Sequence, residues 1–579
     1  MTTTPTQETL VRAGSLEEIA RDGMKVVAAE GRTILVVHDE GRLYALDNRC
    51  PHMGFPLSRG AVRDGILTCH WHHAKFDLSG GCTLDPFADD VPAFHVETRD
   101  GDVYVDPQPI ESDRRAHWEA KLREGLEGRL SLVLAKSVIG LNELEATTDV
   151  LREAALFGVR NRAPGWSSGL SILTAMANVL PVLHEDDRPL AVFHGVVHVG
   201  RSTANQPPNF DLAPLETEMR DPDRYIDWFR RFVETRSTQA AERTLRSAIH
   251  LDLPRTAISE MLFAACTDHL FLDTGHTLDF ANKAFELLDH IGWEHAEEVL
   301  PSVVPSLTGA RRMEESSSWR HPVDLASLLA GVHAQLDDAI AAGSGRLDND
   351  WRGHRDVADQ ILDGEPAETL DRMLSLVREG VPLEELSAAV AYAAARRAVH
   401  FHVSNEFGDW DTVHHSFTYA NAVDQAMRRA PSNLLARGIF DGAMSVYLER
   451  FLNVPRQPHP APSGDPFLPD ALLPAFDVQG QVDETARILA DLLASDWRDQ
   501  SIEVLGQALL REDSTFHEFQ IYEAGVRQYQ HFAGRPEGDH ILTGVARFLA
   551  AHSPTVRSRL QTFDIAARLH RGESLHGDE

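Results

Sequence analysis

The sequence predicts a multidomain protein: a small all-β domain followed by a large all-α domain of weakly repeated helix pairs. Three observations predict it. A chain of 579 residues is too long for a single core. Its first hundred residues alternate apolar and polar positions between glycine-containing turns. Almost everything after residue 116 has helical spacing, rich in Ala, Leu, Glu and Arg.

The β domain spans residues 9–108. Runs such as KVVAAEGRTILVVHDEGRLYAL are broken by EGR and DEGR turns, and FHVETRDGDVYV repeats the hairpin pattern around RDGD. A polar linker follows at 109–116. AHWEAKLREGLEGRLSLVLAKSVIGL then opens a helical domain expected over 117–452. A Pro-rich connection, NVPRQPHPAPSGDPFLPDALLP and the residues after it, covers 453–479. A C-terminal helical segment is expected at 480–571 and a polar tail at 572–579.

Composition narrows the function classes. The content, 43% hydrophobic and 25% charged, is that of an ordinary soluble protein. Fifty-five basic against 88 acidic residues give a net charge of −33, which repels nucleic acid and anionic membranes. The start, MTTTPTQETLVRAGS, lacks a signal-peptide pattern, and no 18-residue apolar run occurs, so a cytoplasmic location is expected. Four cysteines make no disulfide framework at this size. Cys82 and Cys266 read as packing thiols. Histidine is over-represented, with 29 residues, 23 of them beyond position 110.

Residues 50–73 read CPHMGFPLSRGAVRDGILTCHWHH. Cys50 and His52 form a C-x-H pair; Cys69 and His72 form a C-x2-H pair. Two soft thiolates and two imidazoles suit an iron–sulfur unit or zinc, although C-x-H is an unusual half of a zinc finger. Gly54, Pro56 and Gly60 suit tight loop paths.

These pairs, with CHWHHAKFDLSGG, resemble the Rieske family, whose [2Fe–2S] cluster has two thiolates on one iron and two imidazoles on the other. The resemblance covers about residues 9–108 and implies that Cys50, His52, Cys69 and His72 are the ligands. His70 and His73 are left out of the set, and His73 stands where glycine is frequent. High-potential members carry an extra cysteine in each loop, where this chain has Phe55 and Trp71. They also carry Ser and Tyr hydroxyls where this loop runs Ala74, Lys75, Phe76. The resemblance is therefore to the soluble, low-potential bacterial ferredoxin and oxygenase type.

The helical region has a weak internal repeat. GHTLDFANKAFELL (275–288) resembles HHSFTYANAVDQAM (414–427), with a looser copy in FHEFQIYEAGVRQY (516–529). A fourth, LSILTAMANVLP (170–181), lacks the histidine. Equivalent positions in packed repeats can face a shared centre, which singles out His276, His415 and His517. His194 and His198, at i and i+4, share a helix face and could join them as ligands of a second iron. His269, His400 and His402 are weaker candidates. Asp268, Asp273 and Asp411 either orient histidines or cap helices. The GW of DHIGWEH, between His290 and His295, reads as a helix stop.

Ring-hydroxylating oxygenases also begin with a Rieske domain. Asp273-x2-His276 and Asp411-x2-His414 are only fragments of their D-x2-H-x4-H metal motif, and the helical texture does not match their mixed catalytic domain. FHGVVHVGRSTANQPPNF, with H-x3-H-x-G before Gln-Pro, instead resembles a segment of the questin-oxidase-like family. That likeness would span about 140–545. It implies a helical, histidine-rich enzyme, some of whose members use non-haem iron on polycyclic aromatic polyketides.

The resulting expectation is an oxidoreductase. Its [2Fe–2S] cluster relays single electrons to a mononuclear non-haem iron in the helical domain, for O₂-dependent oxidation of an organic, for instance aromatic, substrate. No dinucleotide fingerprint or P-loop occurs, so the electron donor is an external reductase or ferredoxin. The chain either hands electrons over internally or does so between subunits of a homo-oligomer. The alternative is an electron carrier or redox sensor fused to a metal-free helical binding or docking scaffold.

Overall fold

The computed structural model describes residues 10–110, 113–346, 351–464, 469–573 and 575. Residues 111–112 of the linker, 465–468 of the connection, and 574 and 576–579 of the tail lie outside this set.

The N-terminal domain is built on antiparallel strands, with one short α-helix and a 3-10 turn at Leu57–Arg59: β1 (Val11–Ser15), α1 (Leu16–Asp22), β2 (Met24–Ala29), β3 (Arg32–Asp39), β4 (Arg42–Asp47), β5 (Ala61–Arg63), β6 (Ile66–Thr68), β7 (Lys75–Asp77), β8 (Phe94–Arg99) and β9 (Asp102–Pro109). They form three three-stranded sheets, ordered β1-β9-β8, β2-β3-β4 and β5-β6-β7. The turns explain the hairpins. Glu30-Gly31, Glu40-Gly41, Asp64-Gly65 and Asp100-Gly101 all have positive φ at both residues, the type I′ geometry that matches strand twist.

Strand β3 is buried on both faces. Ile34 and Val36 pack with Ile19, Val103 and Val105, while Leu35 and Val37 pack with Leu46, Leu67 and Phe76. Each such side chain contributes about 1.5–3 kcal/mol when fully buried. The second of these clusters includes the Cys50 and Cys69 thiols.

Beyond residue 109 the described residues contain no strand. By packing, the chain divides into one unit of residues up to Val150 together with those from Ser558 onward, and a second unit of Leu151–Arg557. In the first unit, α2 (Arg114–Gly128) and α3 (Ser131–Glu143) follow the β domain, and a late helix (Ser558–His570) packs on α3. The segment at 480–571, continuous in sequence texture, is thus shared between two packing units.

Within the second unit, the four mutually similar segments lie on four helices. These are α4 (Ser168–Val179), α6 (His276–Ile291), α7 (Phe407–Arg429) and α8 (Phe516–His531). Each packs on the next in a closed ring, α4 on α6, α6 on α7, α7 on α8 and α8 on α4. Helix α5 (Arg188–Ser202) pairs with α4. Capping sets the ends. Thr515 and Glu518 form a capping box at α8, Glu406 and Asp409 form another at α7, and Gly292, within the DHIGW stretch, ends α6.

Candidate functional site

Two loops bring the first site together. One follows β4, where the Cys50 amide donates to the Phe55 carbonyl at 2.8 Å and the Gly54 amide to that of Cys50 at 2.7 Å. The other joins β6 to β7, closed by the Cys69 amide donating to Ala74 at 2.8 Å. Both thiols are buried in the apolar core, at 2% and 1% exposure. The His52 and His72 rings meet edge to face at 4.7 Å, with His52 half-buried and His72 exposed.

The electrostatics fit soft metal ligation. A hydrogen bond between the neighbouring thiols pulls Cys69 down to about 6 while raising Cys50, which favours a thiolate at Cys69. Burial, then the charges of His72 and Lys136, push His52 down to about 4, leaving a neutral imidazole. Its buried Nδ1 has no hydrogen-bond partner among the described residues. Two buried thiols, two adjoining imidazoles and an unpartnered ring nitrogen are the donors that a [2Fe–2S] cluster takes. His70 and His73 are exposed. His73 has φ +62°, the left-handed conformation that explains why glycine suits its position. Phe55 and Trp71, where a disulfide would stand in high-potential relatives, contact each other at 5.7 Å between ring centroids. Cys82 corrects the packing-thiol expectation, because it is exposed; Cys266 is buried as expected.

The second site lies where α6, α7 and α8 meet. His276, His415 and His517 bring one ring nitrogen each within 4.8 Å of one another, all half-buried. His415 Nε2 lies 3.2 Å from His517 Nε2, and the His276 and His415 rings are 4.5 Å apart. His517 Nδ1 donates to Asp411 Oδ1 at 2.8 Å, which leaves the His517 Nε2 lone pair facing the centre. Burial raises the Asp411 carboxyl, but the bond to His517 and the nearby histidines outweigh it and hold it low. Burial and neighbouring imidazoles push His276 down to about 4 and His415 to about 3, so both are neutral donors.

Backbone strain marks the entry to His276. Phe271, Asp273 and Thr274 all have positive φ, an arrangement that side chains larger than glycine resist and that recurs at functional sites. Gly275 completes it at φ +91°. A Cβ there would come within 2.8 Å of Phe271 Cε2 and 2.9 Å of Tyr419 Cβ.

The structure does not bring His194 and His198 to this centre. His194 is fully buried with Nε2 2.9 Å from the Leu510 carbonyl. Both rings lie against Phe519, at 5.3 and 5.6 Å. Phe519 follows His517 by two residues, about 200° around α8, so α5 meets the face of α8 turned away from the triad. The other candidates are engaged elsewhere. His269 lies between Glu314 and Glu234, His400 against the Gln457 carbonyl and His402 against Ser404. Asp268 pairs with Arg230, and Asp273 with Arg311.

Sequence reasoning passed over His414 as a site residue. It is fully buried, 4.8 Å from the His517 ring, with no hydrogen-bond partner for either nitrogen among the described residues. A further group, His354, Glu385 and His531, also brings one donor atom each within 4.8 Å of one another. Arg535 donates to His354 Nδ1 at 3.2 Å, so His354 carries its proton on Nε2 and gives it to Glu385 at 2.8 Å.

An antiparallel β domain whose two loops each present a thiol and an imidazole defines an iron–sulfur redox domain. The Rieske [2Fe-2S] domain family matches residues 9–95, and through this domain the chain belongs to that family. Human apoptosis-inducing factor 3 is 33% identical over 109 residues, 18% of this chain and 18% of that protein. The ferredoxin component of the alkene monooxygenase system of Xanthobacter autotrophicus is 31% identical over 84 residues, 14% of this chain and 69% of the ferredoxin. The oxygenase component of the 3-ketosteroid-9-alpha-monooxygenase of Rhodococcus rhodochrous is 37% identical over 91 residues, 14% of this chain and 23% of that protein. The chain thus spans under a fifth of apoptosis-inducing factor 3 and most of the ferredoxin. Among the described residues no helix is long and apolar enough to cross a membrane.

Proposed function

We propose that the protein is a two-centre oxidoreductase in which the Rieske domain supplies single electrons to a non-haem iron held by His276, His415 and His517. The convergence of three imidazoles, two kept neutral by burial and one oriented by Asp411, is the observation that carries this reading. Cys50, His52, Cys69 and His72 would hold the [2Fe–2S] cluster, a one-electron carrier. Iron at the three histidines would supply O₂ activation for oxidation of an organic substrate.

The chain's own residues do the rest. Burial and mutual repulsion keep His276 and His415 deprotonated and ready to donate. Asp411 holds the His517 proton on Nδ1, away from the centre. Phe280 and Phe516 lie 5.5 and 5.6 Å from His276 and give the site an apolar wall suited to an aromatic substrate. The similarity of the four ring helices fits duplication of one helix pair, with Ile172 of α4 standing at the histidine position. The Rieske relatives include a monooxygenase component and a ferredoxin of a monooxygenase system, which favours oxygenase chemistry with an external reductase or ferredoxin as donor.

A second reading has its own observation. The 3.2 Å contact between His415 and His517 also serves as a hydrogen bond between the two rings, as in an electron carrier or sensor with a metal-free scaffold. Rapid-mixing reoxidation separates the two. Protein reduced anaerobically and mixed with O₂ should lose its reduced-cluster spectrum faster than a His276→Ala, His415→Ala variant does. Equal rates would favour the carrier.

A further inference from the structure

Lysine 136 is the one charged residue in the middle of an apolar helix, SLVLAKSVIGL, and α3 carries it into the protein. Its exposure is 6%. An ammonium group so placed loses hydration worth several kcal/mol unless something nearby compensates. Its Nζ donates to the carbonyl of Pro51, the residue between the ligands Cys50 and His52. No carboxylate of the described residues comes within ion-pair distance of Nζ. Burial pulls the ammonium below the usual lysine range, and Asp89 and Cys50 oppose that pull from further away, the Asp89 carboxylate being itself held by His117 Nε2 at 3.0 Å. The groups that feel the Lys136 charge are therefore Asp89 and the first ligand loop, Cys50 and His52 among them.

Reduction by one electron takes a [2Fe–2S] unit from two ferric ions to one ferric and one ferrous ion. With two thiolates and two neutral imidazoles, its charge falls from zero to −1. A cation fixed in low-dielectric surroundings beside the first ligand loop stabilises the reduced form selectively and raises the potential. We propose that Lys136 is a positioning residue whose buried charge, anchored on the Pro51 carbonyl, raises the reduction potential of the Rieske cluster. It offsets part of the low potential expected from a second loop that reads Ala74, Lys75, Phe76. The same arrangement makes the cluster's environment depend on a helix outside the matched residues 9–95. The inference rests on cluster ligation alone and holds whether or not the helical unit binds iron.

The test is a redox titration of the full-length holoprotein, followed by the EPR signal of the reduced cluster. Lys136→Met should shift the midpoint to a more negative value with unchanged g-values, and the shift should persist at high ionic strength because the charge is buried. Lys136→Gln keeps a donor for the Pro51 carbonyl without the charge, and should shift it the same way. Lys136→Arg should restore the wild-type midpoint. If Lys136→Met fails to retain its cluster, Lys136→Gln decides the matter. A wild-type midpoint in a cluster-loaded neutral variant would overturn the proposal.

Discussion

His415 and His517 approach Nε2 to Nε2 at 3.2 Å, and Asp411 decides which nitrogen His517 offers. A metal between them would take both lone pairs. Removing Asp411 leaves the ring free to turn and to change tautomer. Asp411→Asn should therefore weaken metal retention at this centre by about 10–100-fold, as measured by chelator competition, with the cluster's visible spectrum unaltered.

The metal-free protein should lose stability on the acid side. His276 and His415 titrate near 4 and 3 in the fold, against about 6.5 in an unfolded chain. Between these values the unfolded state binds protons that the fold does not, so stability falls as pH drops below about 6.5 and levels off below the folded values. At pH 5 each contributes at most about 2 kcal/mol of this loss. Urea midpoints of metal-free protein at pH 7 and pH 5 should differ, and His276→Gln should narrow the difference.

Two backbone positions give opposite signs. His73 holds φ +62° on an exposed loop, so His73→Gly should raise stability by about 1 kcal/mol. Gly275→Ala places a Cβ 2.8 Å from Phe271 at φ +91°, and should lower stability by about 2 kcal/mol and loosen metal binding at His276. Chemical denaturation of the three proteins checks both.

The Phe55–Trp71 contact ties the two ligand loops where a disulfide would otherwise do so. Such a pair contributes about 1 kcal/mol beyond its buried area. Phe55→Ala should accelerate bleaching of the cluster's visible absorption on warming, without moving its EPR g-values.

The first site stood out in the sequence because Cys50, His52, Cys69 and His72, the four proposed ligands, fall within 23 residues, on two short motifs whose spacing is chemically specific. His276, His415 and His517 were legible for another reason. They occupy equivalent positions in similar segments, and the ring of α6, α7 and α8 turns that equivalence into proximity. His194 and His198 misled because helical periodicity says which residues share a face, not which neighbour that face meets. Asp411 looked the same as Asp268 and Asp273 in sequence, and only packing separates the one that holds a histidine. Lys136 carried a signal, a lone charge in an apolar helix, without any indication of its partner. Nothing in the residues from 558 onward announced that they would pack on α3.

The central claim is that one chain holds a Rieske cluster and a separate three-histidine iron. It is tested most directly by counting iron and acid-labile sulfide in reconstituted protein beside the His276→Ala, His415→Ala variant. The account predicts about three irons and two sulfides per chain, falling to two irons and two sulfides in the variant with the Rieske EPR signal intact. Equal iron in both proteins would contradict it.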